Sequence, residues 1–292
     1  MQILDAMERF STQLEADGRS LHTIRQYQRH VRLLSTWLSE TGHDGSVTRV
    51  EQETVARFLA GPAARTRADG TAKRNSSVNA VRASLRGFFA YLARADLVPS
   101  DPTRLVRRAR CGVPAPRGLS AEDQHRLMVT LSAATDAAGF RDLALFTLMM
   151  RAGIRLGSAI SLDVEDLDLE HGSLYLRHAK GDRRDAVILP SDVAEHLREW
   201  LADRIAGPVF RGTHGERLSA RHVQRRFTGW LRRSGITRHA TPHTLRHTFA
   251  TNLYQKTGDV LLVKDALHHR SIASTLVYAR AGEERLRLAL GA

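Results

Sequence analysis

Thr241-Pro242-His243-Thr244-Leu245-Arg246-His247 places a helix start directly ahead of three side chains that can handle protons and anions. Threonine is a favoured N-cap, and proline suits the first helical position. His243, Arg246 and His247 then fall at i, i+3 and i+4, on one helical face. A helix N-terminus attracts anions, so this face suits a phosphate. Arg155 and Lys180 precede the segment, and His269 and Tyr278 follow it. Taken together, Arg155, Lys180, His243, Arg246, His269 and Tyr278 contain what breaking a phosphodiester requires. Two arginines can clamp the non-bridging oxygens with forked, charge-assisted hydrogen bonds. A lysine can protonate the leaving oxygen, and a histidine can accept a proton from the nucleophile. A tyrosine has a pKa near 10, so only about one part in a thousand is ionised at neutral pH and neighbours must activate it. The set calls for no cofactor, and no run of Asp, Glu or His has metal-ligand spacing. Each residue alone has an ordinary alternative. Arg155 could be an end-of-helix charge, Lys180 a solvated bend, His269 and Tyr278 core side chains, and His247 a support for its own helix.

These residues need a scaffold, and the hydrophobic periodicity predicts one that is mainly helical. Ile24, Tyr27, Val31, Leu34 and Leu38 recur at helical spacing behind Ser20, a good cap. A second amphipathic helix is predicted from Ser76 or Ser77, with Val78, Val81, Leu85, Phe88 and Leu92 on its apolar face. Asn79, Arg82 and Arg86 lie on its other face and are candidates for DNA contact. Shorter helices are expected over 3–16 and 51–60. Residues 1–105 thus read as a small helical domain.

Arg107, Arg108, Arg110, Pro114, Pro116 and Arg117 crowd a stretch with no apolar period, which predicts a basic linker over 106–118. Arg107 and Arg108 join the candidate DNA contacts. Residues 119–292 form the expected second domain. Helices are predicted there over 121–133, 141–152, 191–205, 218–234, 242–256 and 259–267, with an amphipathic segment at 271–280. Between them Leu174 and Leu176 alternate with polar residues, Gly181-Asp182 supplies a turn, and Val187-Ile188-Leu189 follows. That predicts a β-hairpin with Lys180 at its bend.

The bulk numbers fit this plan. A chain of 292 residues is long enough for two domains, each with its own core. It carries 44 basic and 31 acidic residues, a net charge of +13. Only Lys73, Lys180, Lys256 and Lys264 are lysines, so the basic excess is almost entirely arginine, the residue best matched to phosphate oxygens. Residues 1–110 alone hold 18 basic and 11 acidic residues by count. The single cysteine, Cys111, excludes a disulfide within the chain and fits a reducing cytoplasm. No apolar run of membrane-spanning length is present, and MQILDAMERF does not read as a signal peptide. The expectation is a cytoplasmic protein with a polyanionic partner.

The order of these residues resembles the tyrosine recombinase (phage integrase) family. Ala152-Gly153-Ile154-Arg155-Leu156-Gly157-Ser158-Ala159 stands where the family has T-G-L-R-x-S-E-L. His178-Ala179-Lys180-Gly181-Asp182-Arg183-Arg184 matches the hairpin lysine. His243-Thr244-Leu245-Arg246-His247 is the H-x-L-R-H box, and Leu267-His268-His269 stands at L-G-H. Tyr278 follows at the family's spacing for its nucleophile. In the N-terminal half, Thr23-Ile24-Arg25-Gln26-Tyr27, Phe88-Phe89-Ala90-Tyr91-Leu92 and Pro99-Ser100-Asp101-Pro102 resemble the helical core-binding domain. The sequence departs from the family at Ser158, in place of glutamate, and at His268, in place of glycine.

The resemblance implies a SAM-like helical N-terminal domain and a mixed α/β catalytic domain with a small antiparallel sheet, the DNA-breaking-rejoining fold. It implies site-specific strand exchange on double-stranded DNA through a 3′-phosphotyrosyl intermediate and a Holliday junction, without metal or ATP. Tyr278 would be the nucleophile and Arg155 and Arg246 the clamp. Lys180 would protonate the 5′-oxygen, His243 would take the tyrosyl proton, and His269 would bind a phosphate oxygen. It further implies that the two domains close around the duplex, that four protomers assemble on DNA, and that the tail from Arg280 to Ala292 could dock on a neighbour. A partner recombinase or accessory protein is compatible with this plan. The length and two-domain plan resemble Xer-type members more than lambda-like integrases with an added arm-binding domain. Two rivals share parts of the pattern. They are a type IB topoisomerase and a DNA-binding accessory protein that has lost cleavage.

Overall fold

In the computed structural model, residues 1–112, 118–177, 184–269 and 271–279 are described. The chain divides into two compact units, Met1–Gly112 and Val113–Ala292. Lys180, the Gly181-Asp182 turn, residues 113–117 of the expected linker and the tail from Arg280 lie outside the described residues.

The first unit is helical: α1 (Ile3–Ala16), α2 (Leu21–Glu40), α3 (Gln52–Ala60), α4 (Pro62–Arg65) and α5 (Asn75–Arg94). Ser20 caps α2 as predicted, its hydroxyl accepting from the Thr23 amide. Helix α5 begins before its expected start at Ser76 or Ser77. Its N-cap is Arg74, which makes no side-chain cap bond, so no capping residue marked the boundary. Both long helices turn their periodic apolar faces inward, and Val31, Leu34, Leu38, Leu85, Phe88 and Leu92 are buried together. Phe10 of α1 meets the rings of Tyr27, Phe88 and Tyr91 at 5.2–5.8 Å, which ties the three helices into one core.

The second unit contains α6 (Ala121–Ser132), α7 (Ala137–Arg151), α8 (Leu156–Ser161), β1 (Leu167–Asp168), β2 (Ser173–Arg177), β3 (Arg184–Ile188), α9 (Ser191–Leu201), α10 (Ala220–Arg233), α11 (Pro242–Thr257), α12 (Val260–Ala266) and α13 (Leu276–Ala279). Helix α7 is apolar on nearly every side and is packed by α6, α9 and α11. A helix apolar all round belongs at the centre of its domain. Two residues on it are charged and buried. The Asp142 carboxylate, 1% exposed, accepts from both Arg141 (2.8 Å) and Arg226 (2.6 Å) and from the Trp230 indole (2.7 Å). This network fastens α7 to α10.

The predicted hairpin gains a third strand. The sheet is antiparallel in the order β1-β2-β3, with Leu174 opposite both Leu167 and Val187. Leu174 and Val187 face the core, whereas Ile188 is 85% exposed, as strand alternation requires. Helix α9 stops at Leu201 rather than at the expected 205, because Ala202 at φ 48° turns the chain out of the helix. The amphipathic segment expected at 271–280 is a 3₁₀ turn (Ile272–Ser274) followed by the short α13. No helix among the described residues is long and apolar enough to cross a membrane.

Candidate active site

Four elements of the second unit deliver the candidate residues. Helix α11 starts with a capping box between Thr241 and Thr244, and Pro242 occupies its first turn. It ends at Gly258 in the left-handed conformation. Thr248 on the same helix is fully buried. Its hydroxyl receives the Leu119 amide at 2.8 Å and donates to the Thr244 carbonyl, which holds α11 against the start of the unit.

Arg246 is 4% exposed and is the best-anchored group of the site. One terminal nitrogen donates to the Gly153 carbonyl and the other to the Leu267 carbonyl. A single guanidinium fork therefore joins the end of α7, the middle of α11 and the end of α12. Burial first, and then the Arg155 charge, bring its pKa down to about 10, with Tyr278 opposing them, so it stays charged at neutral pH.

Gly153 is required for that arrangement. It has φ 67°, and a β-carbon on it would stand 2.3 Å from the Phe249 ring. Its turn ends α7 and delivers Arg155 to the N-cap position of α8, where the side chain is exposed. Ser158, at the glutamate position of the first arginine box, is partly buried, and its carbonyl accepts from the Ser161 hydroxyl.

The second departure, His268, has φ 48°, so a non-glycine side chain sits in a left-handed turn. Its ring lies 3.3 Å from the Asp185 carboxylate on β3, a contact glycine could not make. The turn delivers His269, whose Nδ1 is 2.8 Å from the Thr275 hydroxyl. If that hydroxyl donates, Nε2–H is left to donate elsewhere. Burial, followed by the charges of Arg246 and Arg155, lowers the His269 pKa to about 4, with His243 and His247 adding smaller effects.

Tyr278 is 4% exposed, and its phenol oxygen lies 2.7 Å from Nδ1 of His247. The His247 ring meets the His243 ring edge-on at 4.7 Å. His243, the residue expected to take the tyrosyl proton, is exposed. Among the described residues, the histidine bonded to the phenol is His247. Although the residue as a whole is exposed, desolvation by the groups packed around its ring is the largest cause lowering the pKa of His243, ahead of Arg246 and Arg155. It is also the largest for His247, ahead of His243 and Arg246. Burial raises the tyrosine pKa, and Arg246 partly opposes it. The result is a neutral phenol and neutral imidazoles in front of two cationic guanidiniums. A phosphate would supply the missing negative charge. Among the described residues, no cluster of three or more His, Cys, Asp or Glu side chains could hold a metal ion.

The structure thus brings Arg155, His243, Arg246, His269 and Tyr278 into one electrostatically coupled group. Sequence reasoning placed His247 on the right face but could not reveal its contact with Tyr278. Thr275 carried no signal beyond proximity to the tyrosine. A hollow of about 740 Å³ adjoins the start of α11 and is lined by Arg232, Arg238, His239 and Thr241 among others.

In the first unit, Arg82, Arg86 and Arg108 line a hollow of about 500 Å³, and Arg65, Arg82 and Arg107 line one of about 280 Å³. Asn79 is a correction to the sequence expectation. It is 5% exposed, and its amide nitrogen donates to the Ala109 carbonyl while its oxygen accepts from the Ala109 amide and from Arg82. Asn75 adds a bond to the Arg110 carbonyl. The beginning of the expected linker is therefore strapped onto α5, and Asn79 is the clasp rather than a surface contact.

Comparison with known proteins agrees with this fold. Residues 118–285 match the phage integrase family, and residues 7–96 match the phage integrase N-terminal SAM-like domain. The chain is 31% identical to tyrosine recombinase XerC of Vibrio parahaemolyticus, over 96% of this chain and 89% of that protein. It is 28% identical to tyrosine recombinase XerC of Chromobacterium violaceum, over 94% and 89% respectively. Among solved structures, the fold is similar to the XerH recombinase bound to its difH substrate after cleavage. That match has a TM-score of 0.77 and 23% identity, covering 96% of this chain and 84% of that one. It is also similar to a lambda integrase fragment bound as a dimer to a core site, with a TM-score of 0.70 and 20% identity over 93% and 96%.

Proposed function

Because the chain belongs to the phage integrase family of tyrosine recombinases, we propose that it cleaves and rejoins double-stranded DNA at a specific site through Tyr278. The observation that carries this reading is the phenol of Tyr278 held against a histidine ring in the field of Arg246. Arg155 and Arg246 hold the non-bridging oxygens of the scissile phosphate. The phenol oxygen attacks phosphorus, forming a 3′-phosphotyrosyl bond and releasing a 5′-hydroxyl. Lys180 protonates that leaving oxygen, His269 donates to a phosphate oxygen, and the tyrosyl proton passes to a ring nitrogen on α11. Attack by the 5′-hydroxyl of a partner strand reverses the step. The covalent bond conserves the phosphodiester energy, so ATP is not needed. Because Tyr278 is 4% exposed, α13 must shift for its oxygen to reach DNA.

The protein acts in the cytoplasm on a duplex site, as a tetramer when two sites are exchanged. A partner recombinase or an accessory protein fits the same scheme. Sedimentation of the DNA complex tests the tetramer. A supercoiled plasmid with two directly repeated target sites is expected to resolve into two circles, and a plasmid without the site is expected to keep its superhelicity. Relaxation of the target-free plasmid would instead identify a type IB topoisomerase.

The arginines around the first unit's hollows contact DNA phosphates. Each phosphate contact adds about one to the slope of log affinity against log salt. Arg86→Ala is therefore expected to reduce that slope by about one. Asn79→Ala, which removes the clasp instead, is expected to leave the slope unchanged and to lower the melting temperature. Equal slopes for wild type and Arg86→Ala would remove Arg86 from the interface.

A further inference from the structure

We propose that His268 and Asp185 are a positioning pair. They strap the hairpin that carries Lys180 to the turn that delivers His269, and so control how well the leaving 5′-oxygen receives its proton. The proposal rests on the recombinase reading and adds to it two residues that act through Lys180 rather than on DNA.

Helix α12 closes with a Schellman pattern. The His269 amide donates to the Lys264 carbonyl at 3.0 Å, and the His268 amide donates to the Asp265 carbonyl at 2.9 Å. The left-handed position of such an ending is usually glycine, and here it is His268 at φ 48°. A β-carbon disfavours that conformation. Backbone strain of this kind persists only where the surroundings hold it, and it gathers at functional turns. The side chain that glycine lacks reaches the Asp185 carboxylate, with Nδ1 3.3 Å from Oδ2.

Asp185 has its own need for that contact. It stands two residues before the buried Val187 on β3 and shares its inward face, while Ala186 and Ile188 are exposed. Aspartate is depleted from strands. A carboxylate turned inward, with its side chain 34% exposed, is stabilised by a donor, and the His268 ring supplies one from the facing turn.

The place of the pair gives it a role. Arg184 faces Arg177 and Asp185 faces Leu176 across the two strands. The segment holding Lys180 therefore leaves β2 at Arg177 and returns at Arg184, next to Asp185. Farther along β3, an apolar hollow of about 470 Å³ lies between the strand and helices α11 and α12, lined in part by Ala186, Val187, Phe249, Leu253, Leu262 and His268. The His268–Asp185 contact spans from the strand to the turn at the hairpin end of this hollow. Its far anchor is firm, because the Leu267 carbonyl beside His268 accepts from the buried Arg246. All these groups precede α13, so the shift that brings Tyr278 to DNA does not require the pair to part.

In the reaction, the Tyr278 oxygen bonds to phosphorus and the phosphorus–5′-oxygen bond breaks. The Lys180 ammonium gives a proton to the 5′-oxygen and becomes an amine, and the tyrosyl proton passes to a ring nitrogen on α11. His268 and Asp185 exchange no proton with DNA. They fix where the hairpin stands, and a 1 Å misplacement at an active site can cost about 10²-fold in rate.

The test is single-turnover cleavage of two target duplexes, one ordinary and one with sulfur in place of the bridging 5′-oxygen. A thiolate leaves without a proton, so the second duplex bypasses Lys180. H268G and D185A are expected to cleave the ordinary duplex about 10–100-fold more slowly than wild type and the sulfur duplex within threefold of wild type. Lys180→Ala should be slower still on the ordinary duplex and should likewise be restored by sulfur. The double variant is expected to be no slower than the slower single one, because both changes remove the same contact. Cleavage of the ordinary duplex by H268G within threefold of wild type would overturn the proposal. So would a defect that persists on the sulfur duplex, as a general loss of structure would produce, or one that adds in the double variant. A second measurement needs neither DNA nor activity. Amide hydrogen exchange in β2 and β3 should be faster in H268G than in wild type, and equal exchange would overturn the strap. Failure of the wild-type protein to link to either duplex would instead count against the recombinase reading.

Discussion

Arg246→Ala is expected to slow DNA cleavage by at least ~10²–10³-fold, the loss typical of one removed oxyanion donor. The effect should exceed that of an exposed arginine because this side chain does two jobs. Its guanidinium is proposed to hold the scissile phosphate, and it also donates to the Gly153 and Leu267 carbonyls. Alanine leaves both carbonyls without this partner, at about 1–3 kcal/mol for each one that stays buried and unpaired. The turn that delivers Arg155 and the turn that delivers His269 are both loosened. Lysine is expected to be a poor substitute, since one ammonium lacks the planar fork that spans two carbonyls. Single-turnover cleavage and melting of Arg246→Ala and Arg246→Lys check this. Cleavage at the wild-type rate by either variant would remove Arg246 from the clamp.

The second large effect is on stability. Asp142→Ala is expected to destabilise the second unit by ~3–5 kcal/mol, because removing one partner of a buried ion pair leaves the other charge uncompensated. Arg141 is 5% exposed at its side chain, and Arg226 and the Trp230 indole share the same carboxylate. For a unit of this size, each kcal/mol lowers the melting temperature by about 2–4 °C, so a fall of roughly 6–20 °C is expected. Asp142→Asn should recover little of it, since an amide has the shape but not the charge. Calorimetry of the two variants decides the point, and a melting temperature within ~2 °C of wild type would show that the network is dispensable. The consequence reaches the site, because α7 carries Asp142 at one end and sets the Gly153–Arg155 turn at the other.

Much of this architecture is legible in the sequence, for local reasons. Ser20, Ser120 and Asp259 cap helices with their own side chains, so those starts are written in residue type. The apolar spacing from Ile24 to Leu38 gives the buried face of α2 directly. Boundaries were missed where no such side chain marks them. Helix α5 begins behind Arg74, and α9 ends at an alanine with positive φ rather than at a glycine. The two-residue strand β1 is too short to show a period.

The site divides in the same way. Arg155, His243, Arg246, His269 and Tyr278 could be named from motif order. Their partners could not, because those partners are distant backbone atoms or residues from other elements. The Gly153 and Leu267 carbonyls, the Thr275 hydroxyl and the bond from His247 to Tyr278 all depend on how the elements pack. Asn79 is the converse case. Its place on the polar side of α5 suggested a DNA contact, but the strap at Ala109 closes over it.

The central claim is that Tyr278 bonds covalently to DNA at one sequence. The most direct measurement is to incubate the protein with genomic DNA, denature in detergent, capture protein-linked fragments and sequence their ends, with Tyr278→Phe in parallel. Fragments that share one sequence, linked through a 3′-phosphate and absent from the variant, are the predicted result. Linked fragments that persist in Tyr278→Phe would contradict the account.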